Sequence, residues 1–255
     1  MAAPMSLSGQ PSVADMEKVI REFYQGPQAG NPQLQQYLRA FQLSQASWSM
    51  VWEFLDPNKT TEVQFFAATT LHVKISHFWH EVSGAEREQM LKRLLELSKT
   101  YLNLPHGGVM FNRLSMSMGN LCLHLLAEGD DSSVDRVFAE ASNLGEKALL
   151  ELLIVLPDEA NAPCFVTFKK QAVLKNGLLR YGPRVLSLLS NALSGSSVPS
   201  ISPLRCLVSW VRLGLALEQT EPLWPALFSA VKNPNLAQSA LEACQSLLTQ
   251  PGNEQ

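Results

Sequence analysis

Along this 255-residue chain the apolar side chains recur at helical spacing, and no run alternates apolar and polar residues with the β-branched enrichment of a strand. Met16, Val19, Ile20 and Phe23 form one stripe, Leu34, Tyr37, Leu38 and Phe41 a second, and Trp48, Val51, Trp52 and Leu55 a third. Each has the i, i+3, i+4, i+7 form that sets four side chains on one face of a helix. An all-α fold is therefore expected.

Turn formers and helix caps fall between the stripes, at 26–32, 43–47, 56–60, Ser83-Gly84, 104–108, 128–133, 156–163, 194–203, 218–222 and 232–235. Helices are expected to begin near residues 13 and 31, 45 and 61, 84 and 108, 132 and 146, about 175 and 202, and 221 and 235. Short loops between amphipathic helices make consecutive helices antiparallel neighbours. The pairs repeat every 32 to 48 residues, close to the roughly 40 to 47 of HEAT or armadillo units. The expected architecture is a HEAT-repeat (ARM-like) right-handed superhelical solenoid of about six helix pairs over residues 13–250, between a flexible start (1–12) and a short tail (251–255). A compact helical bundle is the alternative, because the repeats share rhythm rather than a consensus string.

A chain with 46% apolar and 17% charged residues is globular in class. The first dozen residues lack the basic start and apolar run of a signal peptide, and the longest apolar segment, Leu149 to Leu156, is interrupted by Glu151. A soluble intracellular protein without membrane insertion is expected. Cys122, Cys164, Cys206 and Cys244 form no CxxC pair and read as reduced, packed thiols. The net charge of -3 argues against direct nucleic-acid binding. Charge is unevenly placed: residues 81–160 carry 7 basic and 13 acidic side chains, and residues 161–255 carry 8 and 4. The basic cluster Lys169, Lys170, Lys175, Arg180 and Arg184 reads as a solvated face, with an acidic partner surface as the alternative.

No reactive constellation is found: there is no GxSxG elbow, P-loop, strand-linked GxGxxG or HExxH, so neither an enzyme nor a bound cofactor is expected. His72, His77 and His80 share a helix, but a rise of about 1.5 Å per residue puts its outer two roughly 12 Å apart. One metal ion cannot bridge that span, and no metal site is expected.

The stretch QQYLRAFQLSQASWSMVWEFL from Gln35, followed by EVQFFAATTLHVKISHFW, resembles the amino-terminal domain of the importin-β superfamily. Its marks are Trp48 on one helix and the aromatic-Ala-Ala, Leu, Lys-Ile series on the next: Phe65, Phe66, Ala67, Leu71, Lys74 and Ile75. The runs ALLELLIVLPDE (148–159) and VSWVRLGLALEQTEPL (208–223) extend the likeness over most of residues 15–250. Two stretches depart from it. Residues 127–147 look too short for the usual long helix and 157–176 read unlike the family, so a trimmed or differently assembled fourth repeat is expected. Such receptors run to many more repeats than six, which points to a fragment or truncated form.

The resemblance implies a nuclear transport receptor segment that shuttles between cytoplasm and nucleus. Its implied partners are Ran in its GTP form, cargo proteins and nuclear pore proteins, with residues 36–102 as the Ran-binding domain. A generic HEAT scaffold without Ran dependence is the alternative. In such a solenoid the second helix of each pair lines one side, so polar strips on those helices are the expected contact residues. Thr70, Lys74 and His77 form one strip, and Arg113, Ser117, Asn120 and His124 form the other at i, i+4, i+7 and i+11. Both are expected to lie outside the apolar arcs of their helices.

Overall fold

Ser12 opens the first helix, its hydroxyl oxygen accepting the Asp15 backbone N–H at 3.2 Å. The structure, a computed structural model, describes residues 11–162, 168–195 and 200–249, and among them it holds helices and no strand. The chain divides into two units between Ser117 and Met118.

The first unit contains α1 (Val13–Gln25), α2 (Pro32–Leu43), α3 (Ser47–Phe54), α4 (Thr61–Phe78), a 3-10 turn (Trp79–Glu81), α5 (Gly84–Leu102) and the start of α6 (Gly108–Ala127). Asn31 caps α2 by accepting the Gln33 N–H at 2.8 Å, with Pro32 in the first turn where its missing N–H costs nothing. At α5 the Glu86 carboxylate accepts from the Ser83 N–H at 2.8 Å while the Ser83 side chain accepts the Glu86 backbone N–H, which closes a capping box. Helix α4 is the centre of this unit and packs against α1, α2 and α3. Phe41 of α2 lies 6.3 Å from Phe54 and 6.2 Å from Phe66 by ring centroid, and all three rings are buried. Tyr101 of α5, also buried, donates its hydroxyl to the Leu55 carbonyl at 3.0 Å.

The second unit continues α6 and adds α7 (Ser132–Leu144), α8 (Glu146–Ala160), α9 (Phe168–Leu179), α10 (Gly182–Gly195), α11 (Ser202–Leu213), a 3-10 segment (Leu217–Leu223), α12 (Trp224–Val231) and α13 (Ala237–Leu248). Gly145 alone joins α7 to α8, and its φ of 106° is a value that favours glycine. Helix α8 packs against α7, α9 and α11, and α11 packs in turn against α13. Close approach of α6 to α8 depends on Gly119, where a Cβ would fall 2.8 Å from Val155 Cγ1.

Among the described residues the helices make, in chain order, six successive pairs with α9 as an extra member, the HEAT-like arrangement the stripes predict. Of the two forms expected for the fourth repeat, it is not trimmed: α7 packs against α8, and the two start at Ser132 and Glu146, where helices were expected. Two local expectations fail. Residues 156–163 do not break the chain at Leu156: α8 runs through Pro157 to Ala160. A proline in a helix cannot donate to the carbonyl four residues back. Here the Leu153 carbonyl instead accepts the buried Trp210 indole N–H of α11 at 2.8 Å, so the interruption is locally satisfied. Finally, two helices, α9 and α10, stand where one was expected near residue 175, because Leu174 and Leu178 bury one face before the Tyr181 turn and Val185 and Leu189 bury another after it.

Candidate functional site

Helix α4 is buried over most of its circumference: Val63, Phe66, Ala67, Ala68, Leu71 and Ile75 are all at most 3% exposed. A helix enclosed in this way has little free surface for a polar strip. Thr70 and Lys74 are fully buried, which corrects the expectation that they face solvent. The Thr70 hydroxyl donates to the Phe66 carbonyl at 2.7 Å and accepts from Gln42 Nε2 of α2 at 3.1 Å. His77, near the end of α4, is exposed as expected.

Lys74 is the more demanding case, because a buried ammonium needs an ionic partner. Glu81, in the 3-10 turn that follows α4, accepts from Lys74 Nζ at 2.8 Å, and the Ser44 carbonyl accepts a second bond at 3.3 Å. The same Glu81 oxygen accepts the Trp48 indole N–H of α3 at 2.7 Å. The ammonium also lies 4.3 Å from the Phe78 ring centroid and 4.9 Å from that of Trp48. These bonds hold the Glu81 carboxyl below the usual carboxylate range, with the Lys74 bond the largest cause and the Trp48 bond the next. Sequence reading missed this cluster. Its one signal is that Trp48 and Lys74 both belong to the family marks, and Glu81 follows seven residues after Lys74.

On α6 the second expected strip is divided. Arg113 is half-buried, with its guanidinium 4.9 Å from the Phe65 ring centroid of α4 and 3.9 Å from Met116 Sδ. Ser117 is fully buried and its hydroxyl donates to the Arg113 carbonyl at 3.4 Å. Asn120 and His124 belong to the second unit. Asn120 is fully buried and donates through Nδ2 to Glu159 of α8 at 2.9 Å, while His124 is half-buried. Ser117 and Asn120 are thus interior groups, again a correction: spacing by three or four residues aligns side chains without saying which neighbour covers them.

The thiols of Cys122 and Cys206 are buried and burial pushes both up, Cys122 to about 12, which leaves them protonated at neutral pH. Cys244 is partly buried, and Cys164 lies outside the described residues. In the basic cluster Arg180 pairs with Asp131, just before α7, at 3.0 Å and Arg184 with Asp135 of α7 at 3.5 Å, so two of its charges are answered. Lys170 and Lys175 are exposed, and the Lys169 side chain lies outside the described residues. Among the described residues no group of three or more His, Cys, Asp or Glu could hold a metal ion, and no helix is long and apolar enough to cross a membrane.

Residues 34–99, which include the Lys74–Glu81–Trp48 cluster, match the family described as Importin-beta N-terminal domain. Importin-13 of Mus musculus is 30% identical over 252 residues, covering 94% of this chain and 26% of that protein. Importin-13 of Homo sapiens aligns with the same identity and coverage. The chain belongs to the importin-β family. Importin-13 homolog A of Dictyostelium discoideum is 26% identical over 266 residues, covering 95% of this chain and 25% of its own length. This importin-β family chain therefore spans about a quarter of the length of the curated relatives it matches. The likeness to importin-13 is the one to which the runs at 148–159 and 208–223 point.

Proposed function

We propose that this chain is the segment of a nuclear transport receptor that binds Ran in its GTP form, and that it works in carrying cargo proteins between cytoplasm and nucleus past nuclear pore proteins. The observation that carries this reading is the match of residues 34–99 to the importin-β amino-terminal domain inside an alignment with importin-13 that covers nearly the whole chain. The chemistry is binding by shape. GTP hydrolysis belongs to Ran, and the helices supply surface. Ran and cargo then influence each other through linkage, since each biases the same receptor and so alters the affinity for the other.

Of the seven expected contact residues, His77, Arg113 and His124 keep accessible atoms and are the direct contacts in this proposal. Thr70, Lys74, Ser117 and Asn120 act from beneath by fixing the helices that present them. The test is retention of GTP-loaded against GDP-loaded Ran on the immobilised chain, repeated with the double variant His77→Glu and Arg113→Glu. The parent is expected to retain the GTP form selectively. The variant is expected to lose affinity by about tenfold or more, since reversed charge at an interface costs several kcal/mol. Equal retention of both nucleotide forms, or of neither, overturns the reading in favour of a scaffold without Ran dependence.

A further inference from the structure

The first unit holds a cleft of about 510 Å³ that the Ran reading does not use, lined by Trp48, Trp52 and Glu53 of α3, Glu81 of the 3-10 turn, and Glu86 and Arg93 of α5. Trp48 and Trp52 stand one turn apart on α3, and both are half-buried, so part of each indole faces the cleft. An indole face carries negative electrostatic potential and attracts cations. Both rings already meet one. The Arg93 guanidinium lies 4.6 Å from the Trp52 ring centroid, and the buried Lys74 ammonium lies 4.9 Å from that of Trp48.

The wall is also held in place. The Trp48 N–H is bonded to the same Glu81 carboxylate that pairs the buried Lys74, so turning the ring would break that bond and move the indole away from the ammonium. Charge points the same way. Three lining carboxylates, Glu53, Glu81 and Glu86, face one lining cation, Arg93, and counting Lys74 behind the wall still leaves negative charge in excess. An acidic partner would be repelled there. An apolar one would strip water from Glu53 and Glu86, both exposed, without offering them a hydrogen bond.

We propose that this cleft seats an arginine side chain from an extended segment of a partner protein, stacked on the Trp48–Trp52 wall and bonded to Glu53. Arginine fits better than lysine because its planar guanidinium can lie on an indole while its fork reaches a carboxylate. The site is independent of the Ran reading, since it uses none of the residues assigned there to direct contact.

The test is a titration of the isotope-labelled chain, observed through the indole N–H signals of Trp48 and Trp52 by NMR. The probes are three capped hexapeptides in which glycine alternates with arginine, phenylalanine or glutamate. The arginine peptide is expected to shift both indole signals saturably. Glu53→Lys, at an exposed position, and Trp52→Leu are each expected to weaken it by about tenfold, the scale of one desolvated cation–aromatic or charge contact. The proposal is overturned if the arginine peptide leaves both signals unmoved, or if the phenylalanine or glutamate peptide binds as tightly. It is equally overturned if Glu53→Lys binds like the parent while melting like it, a criterion that holds even if Trp52→Leu fails to fold.

Discussion

Helices α4 and α8 each carry a group that a helix interior should not tolerate, and each is rescued by a side chain from outside that helix. In α4 the group is a full charge, the Lys74 ammonium, and the rescue needs the Glu81 carboxylate together with Trp48. In α8 it is a carbonyl, that of Leu153, left without its helical donor by Pro157, and a single N–H from Trp210 suffices. A charge in a low-dielectric interior interacts strongly enough to dictate its surroundings, whereas an orphan carbonyl needs only one donor. The first unit should therefore depend far more on its rescue than the second.

The largest effect is expected at Glu81. Glu81 is itself exposed, but Lys74 is fully buried, so removing Glu81 leaves a buried charge without its ionic partner, at a cost of up to about 3 kcal/mol. Glu81→Ala should lower the urea midpoint strongly, while Lys74→Met, which removes the buried charge itself, should cost far less. The Lys74→Met and Glu81→Gln double variant should recover most of the loss. Similar losses in all three would break the contrast. Acid provides an independent check. A carboxyl held low in the folded state contributes stability that is complete above its unfolded value, near about 4.3, and that fades as pH falls through the folded value. The parent should thus lose stability below about pH 5 more steeply than the double variant.

A smaller effect is expected in the second unit. Trp210→Phe keeps most of the packing and deletes the N–H, leaving the buried Leu153 carbonyl unpaired at a cost of about 1 to 3 kcal/mol. In a Pro157→Ala background the helix supplies its own donor to Leu153, and the same change should cost measurably less. A double-mutant cycle by thermal or urea unfolding reads the coupling directly. Zero coupling would mean that Trp210 serves α8 by packing alone.

Much of the fold was legible because capping and period are local. Ser12, Asn31 and Ser83 mark helix starts that the structure keeps, and Met16, Val19, Ile20, Leu38, Phe41, Val51 and Leu55 of the three stripes are core. The site was less legible for the same reason. Spacing aligned Thr70 with Lys74 and Ser117 with Asn120, but whether an aligned strip meets water depends on helices distant in sequence. Lys74 is answered by Ser44 from before α3, Trp48 from within it and Glu81 from beyond its own helix, none of which an i, i+4 rule can find. Pro157 misled in the opposite direction. Its local meaning is a break, and only a donor more than fifty residues away lets the helix continue.

The smallest effect is expected where a charge needs no rescue. Arg180 and Asp131 meet at 3.0 Å, but both side chains are 65% exposed, so water already solvates each of them. Pairing in a high dielectric gains little Coulomb energy, orders two flexible side chains and is screened by salt. Arg180→Ala should therefore cost under about 1 kcal/mol, and the cost should shrink further between low and moderate salt. The Glu81→Ala loss should persist over the same salt range, since Lys74 is fully buried and mobile ions cannot reach it. Unfolding both variants in urea at two ionic strengths separates the cases. If Arg180→Ala proved as costly and as salt-insensitive as Glu81→Ala, burial would not be what distinguishes the two ion pairs. The contrast drawn between α4 and α8 would then need another cause, such as the packing lost with each side chain.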